Sequence, residues 1–214
     1  MRVEEWLDLF RANRGKRLFS LSDLALLTGD RRSSLTVQLS RLVSSGIIER
    51  PARGWYANPL SPPSDEEVAM VIRRPSYLSM EYALSRHGVL SQRSQVLTLV
   101  TTRLPYTFRS GGGVFEYHQV KRSLFRGYRA EGDVLVAGPE KALLDLVYVR
   151  HVRGRDMGLG SLASLVDDMY LEELDGEVLS RQAEPFDQGT RGVVERLMGG
   201  KVARRGPDHR GRGP

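Results

Sequence analysis

A cluster of arginine, hydroxyl and amide side chains lies between positions 31 and 53. Arginine donates paired hydrogen bonds to guanine or to phosphate, and Ser, Thr and Gln side chains bond base edges and backbone oxygens. Such side chains recognise a nucleic acid without changing it chemically. The candidate residues are Arg31, Arg32, Ser33, Ser34, Thr36, Gln38, Arg41 and Arg53.

On a duplex, the segment from Arg31 to Arg41 is expected to enter the major groove. The two serines, Thr36 and Gln38 are expected to reach base edges in the major groove. Arg32 and Arg41 are expected to contact phosphate or guanine, and Arg53 the DNA backbone or the minor groove.

Two helices and a tight turn are predicted to position these side chains. A short helix begins at a cap supplied by Ser20 or Ser22, and Gly29 ends it. A second, longer helix carries an apolar stripe at helical spacing and ends at Gly46. The stripe consists of Leu35, Leu39, Leu42 and Val43.

A pair of short strands is predicted after the second helix. Residues 47–50 and Trp55–Ala57 flank a turn at 51–54 that carries Arg53, and positions 18–19 can add another short strand. With a first helix over 2–13, this order is typical of a winged helix-turn-helix, whose second helix enters the major groove. Two alternatives stay open, namely a small helical domain with solvated arginines and a winged helix that binds protein.

Composition is compatible with such a protein. The chain has 214 residues, a net charge of +6 and a sequence pI of about 9.8, which suits a polyanionic partner. The absence of cysteine excludes disulfides, zinc–thiolate sites and cysteine nucleophiles. The N-terminal stretch is not a signal peptide, and no apolar run is long enough to span a membrane. We therefore expect a cytoplasmic protein that uses no cofactor, metal or membrane.

Domain boundaries are predicted from the proline-rich segment and from the change in apolar residue spacing after it. Residues 1–58 are predicted to be the winged helix-turn-helix domain, and the proline-rich segment 59–64 a linker. Residues 65–198 are predicted to form a mixed α+β domain with a small antiparallel sheet and a C-terminal helical part. Within it, strands are expected at 95–102, 106–109, 114–120 and 134–137, and helices at 65–73, 78–87, 161–170, 176–184 and 190–198. A further, central helix is expected to begin at 138–140, where proline suits the first helical position. Residues 199–214 are predicted to be a disordered basic tail.

Catalysis has a few weaker candidates in this second domain. Glu116 and His118 are two apart on a predicted strand and so share a face, which suits a metal site or an acid–base pair. Glu140, Lys141 and Asp145 resemble the acid–lysine clusters of metal-dependent nucleases, but their spacing fits helix capping and an i, i+4 Lys–Asp contact better. We expect no enzyme, with a metal-dependent nuclease as the remote alternative.

Several longer runs resemble the AbiEi family of type IV antitoxins and related transcriptional regulators. They are LSRLVSSGIIER and GWYA in the first domain, and YLSMEYALSRHGVL (77–90), TLVTTRLPYTFRSGGGVFEYHQV (98–120), LFRGY (124–128) and VAGPEKALLDLVYVR (136–150) in the second.

The resemblance implies that the two domains have different functions. The first would bind double-stranded DNA and repress the operon of the pair, and the second would neutralise a toxin of the nucleotidyltransferase type. An orphan regulator without a toxin partner remains the alternative, because the family contains such proteins.

Overall fold

The computed structural model describes residues 1–110, 113–153 and 168–204. The chain is mixed α+β and divides into two compact units, Met1–Arg74 and Pro75–Pro214. The first unit contains α1 (Val3–Ala12), β1 (Leu18–Ser20), α2 (Leu21–Thr28), α3 (Arg32–Ser44), β2 (Trp55–Ala57) and α4 (Asp65–Ile72). The predicted helices over 2–13 and after Ser20 are therefore present.

The core of the first unit is built from one face of each of the first three helices and from both strands. Its buried side chains are Trp6, Phe10, Phe19, Leu24, Leu35, Leu39, Leu42, Ile48 and Tyr56. Strands β1 and β2 pair antiparallel, with Phe19 opposite Tyr56. Burial of this many large side chains holds α3 against the unit from one side.

The start of α2 is closed by a reciprocal capping box. Ser20 Oγ accepts the Asp23 N–H at 3.1 Å, and Asp23 Oδ2 accepts the Ser20 N–H at 2.7 Å. Burial alone would raise the pKa of Asp23, but the hydrogen bonds from Ser20 and the nearby Lys16 hold it below its ordinary value. Of the two predicted caps Ser20 is the one used, and Gly29 at φ +72° ends the helix as predicted.

The predicted strand at 47–50 is not regular. Gly46, at φ +69°, turns the chain so that the Ile47 and Ile48 N–H groups both donate to Leu42 O and close α3. Those N–H groups are then unavailable for a ladder, and Glu49 O alone accepts from Ala57 N, at 2.9 Å. The turn at 51–54 is present, and β2 pairs with β1 instead.

The first unit extends past the predicted linker at 59–64. Buried Asn58 fixes the chain before that segment, since its side-chain amide donates to the carbonyls of Phe10, Asn13 and Lys16. Helix α4 also belongs to this unit, because Glu67 pairs with Arg17 at 3.3 Å and the Arg74 guanidinium lies 4.7 Å from the Trp55 ring centre. The first compact unit ends at Arg74, after α4.

The described part of the second unit contains six strands and four α-helices. They are β3 (Ser76–Leu78), α5 (Met80–Arg86), β4 (Val96–Thr101), β5 (Tyr106–Ser110), β6 (Gly113–Gln119), β7 (Tyr128–Glu131), β8 (Val134–Ala137), α6 (Pro139–Val147), α7 (Gly176–Ala183) and α8 (Gln188–Arg204). Short 3-10 turns lie at Arg122–Leu124 and Leu171–Glu173, and a π turn, Tyr148–Arg153, follows α6.

Six described strands form one sheet in the order β5-β6-β4-β3-β8-β7. Pairs β5–β6, β3–β4 and β7–β8 are antiparallel, and the first of them joins the strands predicted at 106–109 and 114–120. Pairs β4–β6 and β3–β8 are parallel. The sheet is thus mixed, and its antiparallel pairs are joined by two parallel contacts that no local pattern indicated.

Several predicted bounds differ from the structure. The helix predicted at 78–87 begins at Met80, because Leu78 pairs in the sheet with Leu99 and Val136. Helix α8 continues through 199–204, where the tail was predicted to be disordered, while 205–214 lie outside the described residues. Of the helix predicted at 161–170, positions 161–167 lie outside them and 168–170 are not helical.

None of the helices in the described parts of the chain is long and apolar enough to cross a bilayer.

Candidate nucleic-acid interface

Helix α3 separates an apolar face from a polar one. Leu35 and Leu39 are completely buried and Leu42 nearly so, at 0%, 0% and 5% exposure. Residues on the opposite side of the helical wheel point away from the core, and most of them are exposed. The leucine stripe therefore holds α3 so that its other side remains accessible.

The eight predicted residues are mostly on that accessible side or next to it. Arg31 is the N-cap residue of α3, and Arg53 lies in the turn before β2. Exposed side chains are those of Arg31, Arg32, Ser33, Ser34, Thr36, Arg41 and Arg53. Of the eight candidates, all except Arg53 lie on α3 or at its N-cap, and Arg53 lies on the separate turn.

Gln38 is held by three side-chain hydrogen bonds, whereas Arg32 and Thr36 each donate one. Its Nε2 donates to Asp30 Oδ2 at 2.8 Å and to Ser34 Oγ at 3.3 Å, and its Oε1 accepts from the Met1 amino group at 2.9 Å. The side chain is half-buried. These bonds would have to open before Gln38 reached a base edge.

The N-terminal end of α3 carries two arginines and no acidic residue in its first turn, although Asp30 precedes it. No side chain caps it, and Arg31 and Arg32 lie where the helix dipole is already positive. By contrast, α2 and α4 each begin with a complete capping box and acidic side chains. Arg32 donates to Ser22 Oγ at 2.8 Å, which holds its guanidinium beside the start of α2. Such a helix end suits an anion.

Sequence reasoning missed three outward positions on α3. Val37, Ser40 and Ser44 are exposed and, with Ser33 and Arg41, occupy the centre of the outward face. Val37 is 52% exposed, although it is aliphatic. The signal was available, because these positions lie opposite Leu35, Leu39 and Leu42 on a helical wheel.

The catalytic candidates on β6 lie in a half-buried ionic cluster. His118 Nε2 is 3.5 Å from Glu116 Oε2, Arg150 Nη2 is 3.9 Å from the same oxygen, and Arg150 Nε is 3.1 Å from Glu81 Oε1. Burial and Arg150 lower the pKa of His118 against the opposite pull of the two glutamates. The shared face of Glu116 and His118 was predicted, but the partners from other elements were not.

The second group of candidates is a buried network around Asp145. Lys141 Nζ donates to Asp145 Oδ1, which is the predicted i, i+4 contact. Tyr77 Oη and Ser79 Oγ donate to Asp145 Oδ2 at 2.9 and 2.8 Å. Burial raises the pKa of Asp145 and lowers that of Lys141. The network satisfies buried polar groups, which is a structural role.

Glu140, the remaining nuclease candidate, is bound to the backbone. Its Oε1 accepts the Asp175 N–H at 3.1 Å. Within the described ranges, no group of three or more His, Asp or Glu side chains could hold a metal ion.

Comparison with protein families identifies one match. Residues 8–59 match the model described as a transcriptional regulator, AbiEi antitoxin. The resemblance to the AbiEi family is confirmed over these residues. No curated protein matches the chain.

The AbiEi match covers about a quarter of the chain, 52 of 214 residues, and it lies within the first unit. It includes α2, α3, the turn and all eight predicted residues. The family is one of transcriptional regulators and antitoxins rather than enzymes. The AbiEi-like runs between 77 and 150 lie outside the matched residues, so a family role for the second unit stays a prediction.

Proposed function

We propose that the first unit is a winged helix-turn-helix domain that binds operator DNA and represses the operon of its own gene. The observation that carries the proposal is the outward face of α3, which is exposed, bears arginines and hydroxyls, and has no acidic residue. Buried leucines hold this face outward, and the family match lies on the same residues. The protein would act in the cytoplasm, where the DNA is.

Positive charge on α3 and on the turn supports the proposal. Arg31 and Arg32 lie at the uncapped start of α3, where phosphate oxygens would meet both guanidinium groups and free backbone N–H groups. Arg41 lies on the same face farther along the helix, and Arg53 lies on the turn. Phosphate contacts of this type supply most of the affinity and orient the helix for base contacts.

Arg41→Ala is expected to weaken operator binding by about 1–3 kcal/mol if Arg41 reads a base. Polarisation with a duplex from upstream of the gene measures this loss. If Arg41 contacts phosphate instead, the loss is similar for all sequences, and the slope of log affinity against log salt falls by about 1.

Arg11→Ala is the matched control for Arg41→Ala. It removes the same charge from an exposed position on α1, where Arg11 is paired with Asp8. Its effect should be small and independent of sequence. Unchanged affinity across Arg32→Ala, Arg41→Ala and Arg53→Ala would contradict the placement of the interface.

We further propose that the second unit neutralises a nucleotidyltransferase-like toxin. The AbiEi-like runs in 77–150 support this, together with a core that is separate from that of the first unit. The alternative is an orphan regulator without a toxin.

Co-expression of the full chain with the neighbouring nucleotidyltransferase-like gene is expected to restore growth, and Arg41→Ala should restore it equally, because the substitution affects the DNA-binding face alone. Growth arrest despite the full chain would favour the orphan regulator. Rescue lost with Arg41→Ala would place the antidote function in DNA binding.

A further inference from the structure

Val37 stands out on the outward face of α3. Its side chain is 52% exposed, and it occupies a helical position where a β-branched aliphatic residue favours neither helix formation nor solvation. It contributes little to the core, whose leucines lie on the opposite side of the helix. Folding of the unit therefore does not explain why an apolar side chain is here.

The neighbours of Val37 make it protrude. Ser33, Ser40 and Ser44 lie at i−4, i+3 and i+7 on the same face, and all three are small and exposed. Val37 also borders a shallow depression lined by Thr36, Val37, Ser40, Arg41, Ser44 and Ser45. Small residues around one branched side chain allow close approach of a surface that has a small apolar feature among polar groups.

Resting on the proposed DNA-binding function, we propose that Val37 reads a thymine through its C5 methyl group in the major groove. That methyl is the apolar feature of the major-groove edge, and it distinguishes thymine from the other three bases. Val37 thereby becomes a specificity-determining residue, while the surrounding hydroxyls and Arg41 bond to neighbouring base edges and phosphates.

The charge and composition of this face favour DNA over a protein as its occupant. Helix α3 contains Arg32 and Arg41 and no acid, which matches a polyanion. A helix face that docks on protein presents several apolar residues at i, i+3, i+4 and i+7. Here the corresponding positions 33, 40, 41 and 44 are serine or arginine, and Val37 is the apolar residue among them.

The test removes first the C5 methyl group of thymine and then the two γ-methyl groups of Val37. Footprinting with the full chain first defines the protected segment in the region upstream of the gene. Each thymine of that segment is then replaced singly by deoxyuridine, which lacks the methyl and keeps the base pair. We expect at least one thymine in the protected segment at which this change weakens wild-type binding about fourfold, the value of one buried methyl group.

Val37→Ala should abolish the effect of deoxyuridine at that thymine and leave the response to the other thymines unchanged. The affinity of the Val37→Ala variant for the unmodified duplex should also fall about fourfold. Leu26→Ala is the matched control, because Leu26 is an even more exposed aliphatic residue, at 86%, on the neighbouring helix α2. That variant should keep the wild-type deoxyuridine profile.

Fluorescence unfolding verifies that the variant is folded, which is expected because Val37 is half exposed. Should Val37→Ala unfold, Val37→Thr keeps the branched shape and replaces one methyl by a hydroxyl, and it should reduce the deoxyuridine effect.

Failures of the two proposals are distinguishable. If the wild-type chain protects no DNA, the DNA-binding function is wrong and this inference fails with it. If it protects DNA and responds to Arg41→Ala, but no thymine depends on its methyl or Val37→Ala keeps the dependence, only the role of Val37 is wrong. A Val37→Ala variant with unchanged DNA binding but impaired toxin neutralisation would assign the face to a protein and overturn the inference.

Discussion

Asp145→Ala is expected to destabilise the second unit by about 3–5 kcal/mol, the value for removing one partner of a buried ion pair. The substitution leaves Lys141 without its carboxylate partner at 1% exposure, and it removes the acceptor of both Tyr77 Oη and Ser79 Oγ. Each of those groups then loses a hydrogen bond without gaining water. Urea unfolding followed by far-UV circular dichroism measures the change.

Two internal controls accompany this measurement. Trp6 and Trp55 are the two tryptophans of the chain and both lie in the first unit, so the fluorescence transition should be unchanged. The double variant Lys141→Met with Asp145→Leu should recover to within about 1–2 kcal/mol of the wild type, because apolar residues can replace a buried pair. A loss below about 1 kcal/mol for Asp145→Ala, or a double variant no better than the single one, would contradict the structural role assigned to the network.

Leu39→Ala should destabilise the first unit by about 2–5 kcal/mol, as expected for a large side chain deleted from a packed core. Leu39 is fully buried and lies at the centre of the stripe that holds α3. Tryptophan fluorescence during urea unfolding measures the change directly, because both tryptophans report on this unit. Operator binding should weaken in parallel as the fraction of folded unit falls.

Leu26→Ala makes the same chemical change at an exposed position, and we expect it to alter the free energy of unfolding by less than about 0.5 kcal/mol. The comparison separates burial from side-chain identity. Equal effects of the two variants would mean that the leucine stripe does not fix α3 as described.

The first unit was predictable wherever a local pattern decides the structure. The Ser20–Asp23 box, the left-handed Gly29 and the leucine spacing of α3 each depend on residues within one or two turns. The strand at 47–50 failed for an equally local reason, since closing α3 uses the N–H groups that a strand would need.

The second unit was less predictable because distant residues decide it. Leu78 fits a helical pattern, yet it pairs with β4 and β8, so tertiary contacts override the local preference. The Lys141–Asp145 contact follows from i, i+4 spacing, whereas Tyr77 and Ser79 reach Asp145 from 68 and 66 residues away. Arg150 and Glu81 join Glu116 and His118 in the same way.

At the candidate interface, residue types were predictable and their availability was not. Helical spacing places Arg41 outward, but it does not reveal that Gln38 is held by Asp30 and Ser34. Val37 was not among the predicted contact residues, although its position on the wheel is opposite the leucines and its side chain is exposed.

At the uncapped start of α3, a change that stabilises the fold would weaken the proposed binding of DNA. A serine or aspartate at position 31 would follow the rule that α2 and α4 obey, and it would raise the free energy of unfolding. It would also remove the positive charge of Arg31, and its side chain would accept the hydrogen bonds of the backbone N–H groups that an incoming phosphate needs. Engineering this protein for heat tolerance by consensus capping would therefore reduce its affinity for a polyanion.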